Sequence, residues 1–245
     1  MNFTDQKFLL VEDNPLMRAT LKGILVRLEV RSIYEAKNAE MAMAALRKEQ
    51  YDVVLCDYDL GDGQSGLQLL EEARFCKLLS HNSIFIMVTA DNTHPMVLGA
   101  MENKPDDYLL KPFNPIQLIN RLKKLSLRKY YTYDIGKALD NDDIVLAIKH
   151  CDNLLRLNDQ SMHMHLLKIR TELAIRVGDL DTAAGKFEEV LNSRELAWAR
   201  HGLGKVALLQ NQFELAIDIF QQVIEKTPMF IDSYDGLACA YEATH

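Results

Sequence analysis

Val53-Val54-Leu55-Cys56-Asp57 is a run of four apolar residues closed by a carboxylate. Continuous apolar content over so short a stretch reads as a strand buried on both faces. The same pattern recurs on either side. Phe8-Leu9-Leu10-Val11 runs into Glu12-Asp13, Ile84-Phe85-Ile86-Met87-Val88 into Thr89, and Tyr108-Leu109-Leu110 into Lys111-Pro112. Val30 to Tyr34 is a weaker strand. Helical patterns stand between these runs: Met17, Leu21, Ile24 and Leu28; the Ala- and Met-rich stretch from Ala39 to Arg47; Leu67, Leu70 and Phe75; a short Pro-opened helix from Pro95 to Met101; and Ile116, Ile119, Leu122 and Leu125. Strands alternating with helices predict right-handed βαβ units around a parallel, doubly wound sheet, an α/β fold.

In such a sheet, sites form outside the carboxyl ends of the strands. Glu12, Asp13, Asp57, Thr89 and Lys111 would then converge on one rim. Three carboxylates repel one another, so a pocket that holds them favours a cation. An all-oxygen, carboxylate-rich site suits Mg²⁺. Lys111 and Thr89 remain to hold an anion, and a metal-bound phosphoryl group fits that description.

These residues closely resemble the response-regulator receiver domain over roughly the first 125 positions. The matching features are Glu12-Asp13 with Arg18 downstream, Asp57 after an apolar strand, Thr89-Ala90, and Asp106-Asp107-Tyr108-Leu109-Leu110-Lys111-Pro112-Phe113. The resemblance implies five parallel strands in the order 2-1-3-4-5. It implies Asp57 as phosphoacceptor, served by a histidine kinase or a histidine phosphotransfer protein. It further implies Mg²⁺ held by Asp13 and Asp57, by Glu12 through water and by the backbone carbonyl of Asp59. Lys111 and Thr89 would hold the phosphoryl oxygens. Thr89 and Tyr108 would be the switch pair, reshaping the surface around the fourth and fifth units. Three features depart from the family: the loop with Gly61-Asp62-Gly63, about one residue longer than usual and with Gly61 where Pro is usual; Lys104-Pro105 before the acidic dipeptide; and acidic Asp59 and Asp91 at positions that influence phosphoryl lifetime.

Beyond about Tyr130 the punctuation changes. Five of the six prolines lie at or before Pro115, and short polar turns follow. Gly178-Asp179-Leu180 precedes Ala183, Phe187 and Val190; Asn211-Gln212-Phe213 precedes Ala216, Phe220 and Val223, 33 residues on. A looser copy has Asp142-Asp143-Ile144, then Ala147, Cys151 and Leu154. Leu203, Gly204 and Ala207 form the preceding helix of the best copy, which closes at Pro228. This spacing resembles the tetratricopeptide repeat, a helix–turn–helix unit of about 34 residues. Tyr234, Leu237, Ala238 and Tyr241 match the opening helix of a further copy, so the expectation is either a chain cut short or a lone capping helix. The expected organisation is a receiver over 1–126 and an all-α helical-hairpin repeat domain over 127–245.

Composition narrows the function. The 245 residues include 28 Lys+Arg and 35 Asp+Glu, a net charge of −7, and 48% are hydrophobic. Residues 1–129 carry 17 basic and 17 acidic residues, whereas 130–245 carry 11 and 18. The acidic balance argues against general nucleic-acid binding. The basic residues Arg121, Lys123, Lys124, Arg128 and Lys129 read as a solvated helix face, and Trp198 as a repeat-core aromatic. His150, His163 and His165 read as packing or surface residues. Cys56, Cys76, Cys151 and Cys239 lack metal-site spacing and read as small core residues. No apolar run is long enough to cross a bilayer, and no signal peptide is seen, so a cytoplasmic location is expected.

The leading reading is a two-component response regulator, not a turnover enzyme, that relays its signal through protein binding by the repeats. Phosphorylation would alter either docking between the halves or homodimer formation. Two other readings stand beside it. Asp57-Tyr58-Asp59 resembles the Asp-x-Asp motif of haloacid-dehalogenase-type phosphatases, which would make the chain a Mg²⁺-dependent phosphohydrolase. That family places the motif after its first strand, not its third. A scaffold whose receiver no longer signals is the remaining reading; the intact acidic pocket argues against it.

Overall fold

The computed structural model describes residues 3–61, 63–90, 104–157 and 160–244. The expected helix from Pro95 to Met101, and Asp62 and Asp91, lie outside them. The described residues fall into two compact units, one ending at Asp140 and the other beginning at Asn141.

The first unit is built on five strands: β1 (Lys7–Val11), β2 (Ser32–Ala36), β3 (Val53–Asp57), β4 (Ile84–Thr89) and β5 (Asp107–Leu110). All neighbours pair in parallel, in the order β2-β1-β3-β4-β5. The carboxyl ends of all five strands therefore lie along one edge. Phe8, Leu10, Val53, Leu55 and Ile86 point to one face. There they meet Leu21 and Leu25 of α1 (Pro15–Arg27) and Leu118 and Leu122 of α4 (Pro115–Tyr131). Leu9, Val54, Cys56 and Phe85 alternate with them and are equally buried, as a doubly covered sheet requires. α2 (Ala39–Leu46) and α3 (Gly66–Phe75) complete the regular elements before β4. Phe75, expected on the apolar stripe, instead falls at the last position of α3 and is 88% exposed.

The expected boundary at residue 126 falls inside α4. The sheet unit continues through α5 (Tyr133–Asp140), which is fastened to the turn before β4. The Asp140 carboxylate accepts from the Ser80 hydroxyl and the His81 backbone N–H, and Asn82 Nδ2 donates to the Tyr133 carbonyl at 3.1 Å. Lys129 Nζ donates to the His81 carbonyl at 2.7 Å and pairs with Asp106 at 2.9 Å. Arg121 pairs with Asp107 at 2.6 Å. The basic cluster is thus only partly a solvated face: two of its five members anchor α4 to the acidic dipeptide that opens β5.

The second unit is entirely helical: α6 (Ile144–Arg156), α7 (Gln160–Arg176), α8 (Leu180–Ser193), α9 (Ala197–Leu209), α10 (Phe213–Lys226) and α11 (Asp232–Ala243). Successive helices pack on one another, as in a chain of hairpins. The repeated positions are the buried ones: Ala183, Phe187 and Val190 on α8, and Ala216, Phe220 and Val223 on α10. Trp198 is half-buried, edge-on to Phe187 with ring centroids 6.2 Å apart. A methyl group built on Gly202 would fall 2.2 Å from the Phe187 ring, and one on Gly204 2.6 Å from that of Phe220. Small residues on α9 thus form notches filled by rings from the helices on either side, Phe187 of α8 and Phe220 of α10. Asp143 and Asp179 accept backbone N–H groups as the N-caps of α6 and α8. On α11, Tyr234, Ala238 and Tyr241 are exposed. Cys56 and Cys151 are buried as expected, but Cys76 and Cys239 are exposed, because Cys76 caps the end of α3 and Cys239 lies on the open side of α11. Among the described residues no helix is long and apolar enough to cross a membrane.

Candidate functional site

The loop after β1 carries Glu12 and Asp13, and Asn14 caps α1 by accepting from the Leu16 and Met17 N–H groups. Capping falls to Asn14 rather than to the acidic pair, which leaves both carboxylates for the pocket. Pro15 at the first helical position suits this start. Asp57 closes β3, Thr89 closes β4, and Lys111 follows β5, its N–H donating to the Thr89 carbonyl at 2.7 Å. The parallel topology therefore brings all five expected residues to one edge.

The carboxylates of Glu12, Asp13 and Asp57 lie within 4.8 Å of one another. Glu12 is 1% exposed and Asp57 7%, whereas Asp13 is open to solvent. Lys111 Nζ lies 2.7 Å from Asp57 Oδ2 and 3.0 Å from Glu12 Oε2. Burial, with the nearby Asp57 charge, pushes the Glu12 carboxyl up to about 7 despite the Lys111 ammonium. Burial acts to lower the Lys111 value, but its hydrogen bonds to Asp57 and Glu12 prevail and raise it. The ammonium is thus held charged.

Asp59 does not join the carboxylate group. Its Oδ1 accepts from the Gly61 N–H at 3.2 Å. Gly61 has φ +74°, and a Cβ there would come within 3.3 Å of Asp13 Oδ2, so the departure from Pro leaves room at the mouth. Tyr108 is half-buried, and its hydroxyl is buried with no hydrogen-bond partner among the described residues. Burial pushes its phenol up to about 12.

Two supporting residues escaped the sequence reading. Gly66 opens α3 directly against β3, and a Cβ there would lie 2.1 Å from the Asp57 carbonyl oxygen. Its signal was a Gly after a Ser at a helix start: Ser65 caps α3 in a reciprocal capping box with Gln68. Arg18, quoted only as part of the motif, donates to the Glu12 carbonyl at 2.6 Å and to the Asp13 carbonyl at 3.2 Å.

The family described as the response regulator receiver domain matches residues 8–123. Residues 8–123 are a response regulator receiver domain. The chemotaxis protein CheY-3 of Vibrio cholerae is 29% identical over 121 residues, 92% of its length and 49% of this chain. The sensory transduction protein LytT of Bacillus anthracis is 31% identical over 139 residues, 54% of its length and 56% of this chain. This chain thus spans about half the length of LytT. Among solved structures, the response regulator TrrA of Thermotoga maritima, in complex with Mg²⁺-BeF, is 30% identical; the match covers 98% of TrrA and 49% of this chain, with a TM-score of 0.43. The receiver domain gives this chain its place in two-component signalling, in which such domains accept phosphoryl groups rather than turn over substrates.

Proposed function

We propose that Asp57 is the phosphoacceptor of this receiver domain, and that a histidine kinase or histidine phosphotransfer protein is its donor. The observation that carries the reading is the joint hold of Lys111 on Asp57 and Glu12 inside a group of three carboxylates. Such a group suits a hard divalent cation: three oxygen donors converge, and burial with the neighbouring Asp57 charge makes Glu12 hold its proton unusually well. Glu12, Asp13 and Asp57, with the Asp59 carbonyl, would hold Mg²⁺, which when bound supplies positive charge to the transferring oxygens.

The chain's own groups do the rest. An Asp57 carboxylate oxygen attacks the phosphorus of phosphohistidine. The new O–P bond forms as the P–N bond breaks, and the imidazole leaves with that electron pair. Lys111 Nζ, already at the Asp57 oxygen, pairs with the phosphoryl oxygens, and the Thr89 hydroxyl bonds one of them. The product places about one to two negative charges where one carboxylate stood. Thr89 drawn inward vacates space beside Tyr108, whose buried hydroxyl has no hydrogen-bond partner among the described residues, which makes it the candidate to turn. The receiver unit continues to Asp140, and α6–α11 form a tetratricopeptide-like domain that relays the signal by binding a protein.

The phosphohydrolase alternative needs a second carboxyl in the pocket two residues after the nucleophile. Asp59 instead points its carboxylate at Gly61. The test is phosphorylation with a phosphodonor and Mg²⁺, read by intact-protein mass. One phosphoryl group per chain, absent with EDTA and in Asp57→Asn, is expected; equal labelling of Asp57→Asn would overturn the assignment.

A further inference from the structure

The Glu12 carboxylate accepts from the Asn14 N–H at 3.3 Å and from Lys111 Nζ at 3.0 Å, so the side chain itself is held within the pocket. Asp13 is exposed, and the pair lies just past the end of β1, where the Glu12 N–H still donates to the Ala36 carbonyl of β2 at 3.1 Å. The two carbonyls of the loop are held by Arg18, one turn into α1. One guanidinium nitrogen bridges the carbonyls of both acidic residues, at 2.6 and 3.2 Å. Two fixed carbonyls fix the two peptide planes, and with them the directions in which the Glu12 and Asp13 side chains leave the chain. The guanidinium is itself steered from the edge strand: Arg18 Nε lies 3.6 Å from Glu35 Oε2, and Lys22 holds the other oxygen of Glu35.

We propose that Arg18 is a positioning residue that sets the affinity of the Glu12–Asp13–Asp57 pocket for a divalent cation, with Glu35 orienting it. The inference rests on the cation site proposed above. Electrostatics and geometry predict opposite signs here, and that decides the matter. A positive guanidinium near a cation site repels the cation, so on charge alone its loss would tighten binding. If its work is to hold the carbonyls, its loss loosens the carboxylates and weakens binding. A purely structural role would lower the melting point and leave affinity alone.

The measurement is Mg²⁺ affinity by isothermal titration calorimetry on the full chain, beside thermal melting in EDTA. Arg18→Ala should weaken Mg²⁺ binding by about tenfold, in the range typical of groups that orient metal ligands. Arg18→Lys should recover part of that loss, since an ammonium can still donate to a carbonyl but lacks the fork. Glu35→Gln should weaken binding by a smaller factor, with the EDTA melting point close to wild type; it keeps the test decisive should Arg18→Ala fold poorly. Unchanged or tighter Mg²⁺ binding by both Arg18→Ala and Glu35→Gln overturns the proposal while leaving the cation site intact. Failure of the wild-type chain to bind Mg²⁺ would overturn both.

Discussion

Gly66 in the sheet unit makes room for a backbone carbonyl, whereas Gly202, Gly204 and Gly236 in the helical unit make room for phenyl rings. The first brings the start of α3 against the residue that carries the chemistry. The others let Phe187 and Phe220 sink into neighbouring helices. Buried charge divides the same way. The sheet unit hides Glu12 and Asp57 at one rim, while the charged residue buried in the helical unit is Arg170, paired with Asp152 at 2.8 Å. One unit gives up stability to hold a reactive arrangement; the other uses its interior for packing.

That contrast can be broken most severely at Asp57. Asp57→Asn should reduce phosphoryl uptake to background, yet leave the melting of the helical unit unchanged, as hydrogen exchange resolved by segment would show. Phe220→Ala should do the reverse. It removes a ring that fills the notches at Gly204 and Gly236, at a cost of about 3–5 kcal/mol in denaturant unfolding of the helical unit. Phosphorylation of Asp57 should continue unaltered.

Glu12 sharpens the comparison through pH. Its folded-state value of about 7 exceeds the ordinary 4.5. Between those values the unfolded chain releases a proton that the folded chain keeps, so stability of the metal-free protein falls as pH rises across that window and levels off above it. The full penalty is about 3 kcal/mol. Glu12→Gln should therefore melt higher than wild type at pH 8 in EDTA, with the gap closing towards pH 4.5; a gap independent of pH would refute this. The smallest effect is expected at Asn114, which caps α4 in a reciprocal capping box just beyond Pro112. Asn114→Ala should cost about 1 kcal/mol in urea unfolding of the sheet unit.

Much of the sheet unit was legible because strands covered on both faces read as continuous apolar runs, and each run ended on its functional residue. Thr89 and Lys111 could be placed on the same rim as Asp57 from topology alone. The edge strand β2 was read two residues early, since Ser32, Tyr34 and Glu35 stay partly exposed and blur the pattern. The extent of the unit was not legible. α5 is held by polar contacts of Asp140 and Asn82 with partners about fifty to sixty residues distant, and hydrophobic periodicity carries no trace of these. Gly66 was missed for a related reason: the demand on it is a carbonyl oxygen nine positions earlier in the chain, visible only when α3 lies against β3. In the helical unit the 33-residue recurrence of Ala, Phe and Val mapped directly onto buried positions, because each recurrence sits on the same packed side of its helix.

Lys111 spans two carboxyl groups set in the buried part of the site. Asp57 ends a strand locked between neighbours, and Glu12 is walled in. The ammonium rides on a four-carbon tether with freely turning bonds. Of the three, the cation is the part able to travel: when negative charge shifts within the pocket, the counter-charge can follow it by a change of rotamer, with the sheet left as it stands.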